Sequence, residues 1–150
     1  METLLISLRR GAPSDAPVVA ELVAALLTEL GGAPVDLEPV AQDVLARDDR
    51  VACFLAFDDD RAVGVILLSE GYAMFARGAF GQITELYVRP EFRSSGIAAR
   101  LLEQAGSYGR ERGWRRIDVG APTQPQWART VAFYRANGFV DVGPRLKLVL

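Results

Sequence analysis

Two hydrophobic rhythms run along the chain. Val18, Val19, Leu22, Val23, Leu26, Leu27 and Leu30 recur three and four apart, the spacing that lays apolar side chains on one face of a helix. Pro13-Ser14-Asp15 marks where that helix starts, with Ser14 or Asp15 placed to cap it, and Gly31-Gly32 stops it. A second, short helix is predicted from about Leu37 to Arg47, with Val40, Val44 and Leu45 inward. From Ser95 to Arg112 the residues Ile97, Leu101, Ala105 and Tyr108 form one stripe, widened by Ala98 and Leu102, and Gly113 closes it. A last helix is predicted from Pro125 to Ala136, ended by Asn137-Gly138.

Between these segments the rhythm is that of strands: Thr3–Leu8, Val51–Phe57, Ala62–Ser69, Gln82–Val88, Arg115–Gly120, and one or two strands within Phe139–Leu150. Asp58-Asp59-Asp60-Arg61 joins the second and third as a hairpin. Glu70–Gly81 holds three glycines and three aromatics and reads as a mobile connection or frayed strand ends. The order of elements describes an α+β fold of three layers, a central mixed and mostly antiparallel sheet flanked by helices. The strand–helix–strand unit from Gln82 to Gly120 predicts a parallel, right-handed crossover. No repeat or linker interrupts residues 1–150, so one domain is expected.

Composition changes the picture mainly by exclusion. With 150 residues and 50% hydrophobic content, the chain can bury a core without disulfides or metal. It has no histidine, so no Ser-His-Asp or Cys-His relay can be assembled, and imidazole zinc sites are out. Cys53 is the single cysteine and cannot form a thiolate cluster, so no metal is expected. Acid–base chemistry must rest on carboxylate, tyrosine, backbone or water. A formal charge of −2 argues against nucleic acid or an anionic membrane as partner. The apolar run Thr3–Leu8 is too short for a signal peptide, and its arginines follow it. No stretch approaches the length of a membrane span. A soluble, cytoplasmic protein is expected.

The segment Ile83–Ala98 carries the chemistry. A strand ends, a short polar turn follows, and a helix opens at Arg93-Ser94-Ser95-Gly96-Ile97-Ala98. Backbone N–H groups at a helix start are unpaired and sit at the positive end of the dipole, which suits a phosphate. Gly96 removes a side chain where a ligand would meet the backbone, Ser94 and Ser95 add hydroxyls, and Arg93 adds charge. A plain capped surface helix satisfies the same residues.

Val88-Arg89-Pro90-Glu91-Phe92-Arg93-Ser94-Ser95-Gly96-Ile97-Ala98 resembles the signature of the GNAT acyl-CoA N-acetyltransferase superfamily, Arg/Gln-x-x-Gly-x-Gly/Ala after a strand. Phe133-Tyr134-Arg135-Ala136-Asn137-Gly138-Phe139 resembles its second hallmark, a Phe-Tyr near a helix end followed by Gly-Phe. The resemblance implies a sheet splayed around a coenzyme A site. Backbone from Arg93 to Ala98 would hold the pyrophosphate, with Arg93 and Arg100 beside the phosphates. The pantetheine arm would lie along Leu86-Tyr87-Val88, bonded to the backbone of Leu86 and Val88, where an N–H would also polarise the thioester carbonyl. Tyr134 would protonate the departing thiolate. Glu85, the carboxylate inside the strand, is the candidate base for the acceptor ammonium. Strict alternation sets Glu85 with Tyr87 on one face and Thr84, Leu86 and Val88 on the other, and a bulge would change that. Relatives often carry an acid where this chain has Thr84, and an Asn where it has Trp127.

The resemblance places the acceptor over Gly31–Asp36, Gly71–Gly81 and Asp141–Arg145. Asp36, Glu38, Glu70, Glu85 and Asp141 are then candidates for holding a cationic amine, with Tyr72, Phe75 and Phe80 as apolar or cation–π surface. Trp114 and Trp127 read as core or dimer-interface residues, a homodimer being the family's common habit. The implied activity is acetyl transfer from acetyl-CoA to a primary amine of a small molecule or peptide, by direct attack in a ternary complex. The alternative is an acyl-CoA sensor domain without turnover.

Overall fold

The computed structural model describes residues 5–120 and 127–150. In chain order these form β1 (Ile6–Arg10), α1 (Ala16–Glu29), α2 (Glu38–Leu45), β2 (Val51–Asp58), β3 (Arg61–Ala73), β4 (Gly78–Val88), α3 (Ile97–Arg112), β5 (Ile117–Val119) and α4 (Ala128–Ala136). The chain divides after Asp118 into two compact units. Thr3, Leu4 and the expected helix start at Pro125 lie outside the described residues.

The sheet has the order β1-β2-β3-β4-β5. Its first three pairings are antiparallel, and the crossover through α3 brings in β5 and makes the sheet mixed. Burial explains why β2 and β3 read as continuous apolar runs. On one face α1 and α2 set Val19, Leu22, Val23, Ala41 and Leu45 against Cys53, Leu55, Val65, Leu67 and Tyr87. On the other, α3 buries Ile97, Leu101 and Ala105. Strands covered on both faces have no solvent side to alternate with. Fully buried side chains such as Leu22, Leu55 and Leu101 each contribute roughly 1.5–3 kcal/mol by leaving water. Gly64 lets α3 lie close: a Cβ there would meet Leu101 at 3.2 Å and Ile97 at 3.3 Å.

Two expectations are corrected. Glu70–Gly81 is no loose connection, because β3 and β4 stay paired through Glu70–Gly81, Gly71–Phe80, Tyr72–Ala79 and Ala73–Gly78. Its glycines mark close approach rather than freedom: a Cβ on Gly71 would meet Phe80 at 2.8 Å, and one on Gly81 would meet Trp114 at 2.3 Å. The turn Met74–Arg77 that joins them is closed by an Arg77 N–H to Met74 carbonyl bond of 3.0 Å. In the second unit, Phe139–Leu150 forms no strand among the described residues. Asp141 separates Val140 from Val142 as alternation would, but Gly143 at φ +122° and Pro144 interrupt the run. A strand also needs a partner ladder, which side-chain preference alone does not provide.

Candidate functional site

β4 delivers its backbone to the site in a fixed register. The Arg89 N–H donates to the Val63 carbonyl at 2.8 Å. Backbone direction alternates along an antiparallel strand, so Glu85 and Tyr87 also turn their N–H and C=O groups toward β3. Leu86 and Val88 turn theirs the other way. The neighbour on that side is short. β5 enters beside Gly81, whose N–H donates to the Arg116 carbonyl at 3.1 Å, and it has three residues. Three residues cover about 10 Å, which does not reach alongside Leu86 and Val88.

A bulge sits in the middle of β4. Leu67 faces Glu85 and Leu68 faces Ile83, so Thr84 is the extra residue. Glu85 keeps the face of Tyr87 that alternation predicts, while everything before Thr84 changes phase and Ile83 joins Leu68. Thr84 Oγ1 donates to Glu85 Oε1 at 2.5 Å and approaches the Leu67 carbonyl at 3.4 Å. Glu85 is half-buried.

After β4 the chain makes a single turn at Pro90–Phe92, pinned by the buried Phe92 ring. Ser94 then adopts φ +67° and Gly96 φ +85°. Two positive-φ residues ahead of a helix turn successive N–H groups to one side, the arrangement that makes an anion-binding concavity. Among the described residues no hydrogen bond is made by the N–H groups of residues 94–99, whereas the Arg100 N–H already bonds the Gly96 carbonyl at 3.1 Å. A Cβ on Gly96 would meet nothing within 4 Å, so the space above the loop is open. Ile97 is buried and anchors the helix start to the sheet.

The side chains expected beside a phosphate are largely engaged within the protein. Arg93 donates from Nε to the Val88 carbonyl at 2.9 Å, and from its two terminal nitrogens to Glu29 at 2.9 and 2.6 Å. Its guanidinium also lies over the Tyr87 ring, 5.4 Å from the centroid. The Arg93 hydrogen bond holds the Glu29 carboxyl below its usual range, and burial, then the Glu29 charge, raises the Tyr87 phenol. The Ser95 hydroxyl turns inward onto the Phe92 carbonyl. Arg100 reaches the Ile6 carbonyl of β1 at 3.0 Å. What remains for an anion is chiefly backbone.

Among the acceptor candidates, Glu70 is a structural anchor. Its carboxylate accepts from Arg112 at 2.6 and 2.8 Å, from Trp114 Nε1 at 2.6 Å and from the Tyr72 hydroxyl at 2.8 Å. The Arg112 hydrogen bond, foremost, depresses its pKa to about 2. Trp114 is core, buried against Gly81 and Gly109. Asp36 accepts the Glu38 N–H at 3.1 Å where α2 begins. Phe80 is buried and leans on the exposed Phe75, with ring centroids 5.5 Å apart.

In the second unit, Tyr134 lies on α4 with its ring between Phe133 and Phe139, at centroid distances of 5.6 and 5.2 Å. Burial pushes its phenol up to about 12. The side chain is buried, and its hydroxyl has no partner among the described residues. Trp127 occupies the N-cap of the same helix. Asp141 pairs with Arg135 at 2.9 Å.

Among the described residues no cluster of carboxylate and thiol ligands could hold a metal ion, and no helix is long and apolar enough to cross a membrane. Residues 20–139 match the family model described as the acetyltransferase (GNAT) family. An uncharacterized N-acetyltransferase of Archaeoglobus fulgidus is 40% identical over 65 residues, 43% of this chain and 44% of that one. The IAA acetyltransferase of Azospirillum brasilense is 30% identical over 84 residues, 56% of this chain and 54% of that one. The chain spans about half the length of these curated relatives. A predicted acetyltransferase of Clostridium acetobutylicum, solved with acetyl-CoA, shares the fold with a TM-score of 0.80 at 19% identity, over 97% of this chain and 96% of that one.

Proposed function

The chain belongs to the acetyltransferase (GNAT) family, and from that premise we propose that residues 1–150 act as one acetyltransferase domain. It moves an acetyl group from acetyl-CoA to a primary amine of a small molecule or peptide. The observation that carries this reading is the run of six N–H groups, residues 94–99, left without acceptors among the described residues at the mouth of α3 beneath open space. Such a nest suits a pyrophosphate, and it directly follows a strand whose Leu86 and Val88 backbones face away from β3. The residues present therefore fit the coenzyme.

Acetyl-CoA, when bound, supplies the acetyl group already activated as a thioester. The backbone of residues 93–98 holds its phosphates, and the charge of Arg93 and Arg100 adds to the field there. The Val88 N–H and both backbone groups of Leu86 are left for the pantetheine amides, since the Val88 carbonyl is taken by Arg93. An N–H of this strand polarises the carbonyl that is attacked. Glu85 receives the amine proton, its carboxylate steadied by the Thr84 hydroxyl. Tyr134 donates the phenolic proton to the departing sulfur. Cys53 takes no part: it is buried and its thiol is pushed up to about 12.

A second reading, an acyl-CoA sensor, draws support from Trp127 in place of the usual Asn and from burial, which makes Tyr134 a weaker acid. A thiol-release assay with acetyl-CoA against a broad panel of primary amines separates the two. Free thiol with at least one amine is expected. Thermal stabilisation by CoA without thiol release from any amine would favour the sensor. No stabilisation at millimolar acetyl-CoA overturns both.

A further inference from the structure

Glu29 stands where helix physics argues against it. It is the last residue of α1, whose final turn carries no basic residue. Exposed carbonyls make that end of a helix negative, so an anion is disfavoured there. The compensation comes from outside the helix. Arg93, 64 residues further on, lays its guanidinium flat against the carboxylate in a two-bond pair, and the same group caps the Val88 carbonyl through Nε. Arg93 is the residue from which the nest departs, with Ser94 at φ +67° immediately after it. Three of its nitrogens are thus committed to fixing the point where the chain leaves β4. Glu29 lies at the surface with 32% of its side chain exposed, and it supplies two of those three bonds.

We propose that Glu29 is a positioning residue for coenzyme binding: by clamping Arg93 onto the Val88 carbonyl it orients the N–H nest of residues 94–99. The inference rests on the acetyl-CoA reading above. It makes the arginine of the signature an internal brace more than a phosphate ligand. Two opposed consequences distinguish these roles. If Arg93 is chiefly a phosphate ligand held back by Glu29, freeing it tightens CoA binding. If it is a brace, freeing it lets the nest lose its aim and binding weakens. A partly exposed ion pair contributes little to global stability, so the effect falls on affinity rather than on folding.

Calorimetric titration of CoA into the wild-type protein, Glu29→Gln, Glu29→Asp, Arg93→Met and the Glu29→Gln/Arg93→Met double variant tests this. Glu29→Gln is expected to weaken CoA about fivefold to tenfold with an unchanged unfolding midpoint. Glu29→Asp should recover most of the loss, and the double variant should be no weaker than Arg93→Met alone. Unchanged or tighter binding by Glu29→Gln overturns the proposal, as do losses that multiply in the double variant. Were Glu29→Gln to unfold, the comparison of Glu29→Asp with Arg93→Met decides: wild-type affinity in both overturns it, and a smaller loss in the former upholds it. Absence of CoA binding by the wild-type protein would instead overturn the acetyl-CoA reading itself.

Discussion

At the scale of single residues, Tyr134 shows how burial sets a proton donor. Its ring is packed by Phe133 and Phe139, and its hydroxyl has no partner among the described residues. Burial disfavours the phenolate, so a group with an ordinary value of 10 rises to about 12. It therefore stays protonated throughout the neutral and mildly alkaline range, but each step upward makes it less willing to give the proton away. Tyr134→Phe keeps the ring and deletes only the hydroxyl. We expect kcat to fall about 100-fold, within the usual span for a general acid, with the KM for acetyl-CoA and the urea midpoint nearly unchanged. Equal losses in kcat and CoA affinity would mean that the residue packs and does not catalyse. The pairing of Phe133 with Tyr134 near a helix end is legible in the sequence. The burial of that ring is not, because it depends on what surrounds it in space.

Among the elements, the β3–β4 hairpin and the end of α3 are joined through Glu70. A carboxylate with 3% of its side chain exposed is tolerated because Arg112, Trp114 and Tyr72 all donate to it. Its folded pKa of about 2 lies below the ordinary 4.5, a difference on the order of 3 kcal/mol. A depressed carboxylate stabilises fully above its unfolded value, and that contribution is lost as pH falls through the folded one. Glu70→Gln should therefore be less stable than the parent at pH 7. The gap should narrow between pH 4.5 and 2, as followed by urea unfolding at several pH values. A gap that stays constant with pH would assign the loss to packing. From the chain alone Glu70 reads as an acceptor-site acid at the edge of a mobile stretch. Trp114, lying 44 residues away, is what makes it internal, and no local pattern announces a contact of that span. The Thr84 bulge escapes the sequence for a similar reason. Alternation is a property of one strand, whereas a bulge is a mismatch between two.

For the molecule as a whole, the sheet covered on both faces accounts for the behaviour of Cys53. It is buried under α1 and α2, and burial raises its thiol to about 12, so almost no thiolate exists at pH 8 and none of it is accessible. Labelling of the folded protein by a thiol reagent should be limited by opening of this core and should accelerate steeply at the urea midpoint. Rapid labelling under native conditions would show that α1 and α2 do not close that face. The sequence by itself determined the order of the elements from β1 to α4, the buried faces of α1 and α3, the polar turn with Gly96 ahead of α3, and the absence of imidazole chemistry. Those are properties of residue type and of spacing within one segment, and local sterics and periodicity suffice to express them. The tertiary structure alone decided that Arg93 is braced by Glu29, that Glu70 is an anchor, that Thr84 bulges, and that Phe139–Leu150 finds no ladder among the described residues. Each is a pairing between groups distant along the chain, or the lack of one, and such pairings exist only once packing has brought the segments together.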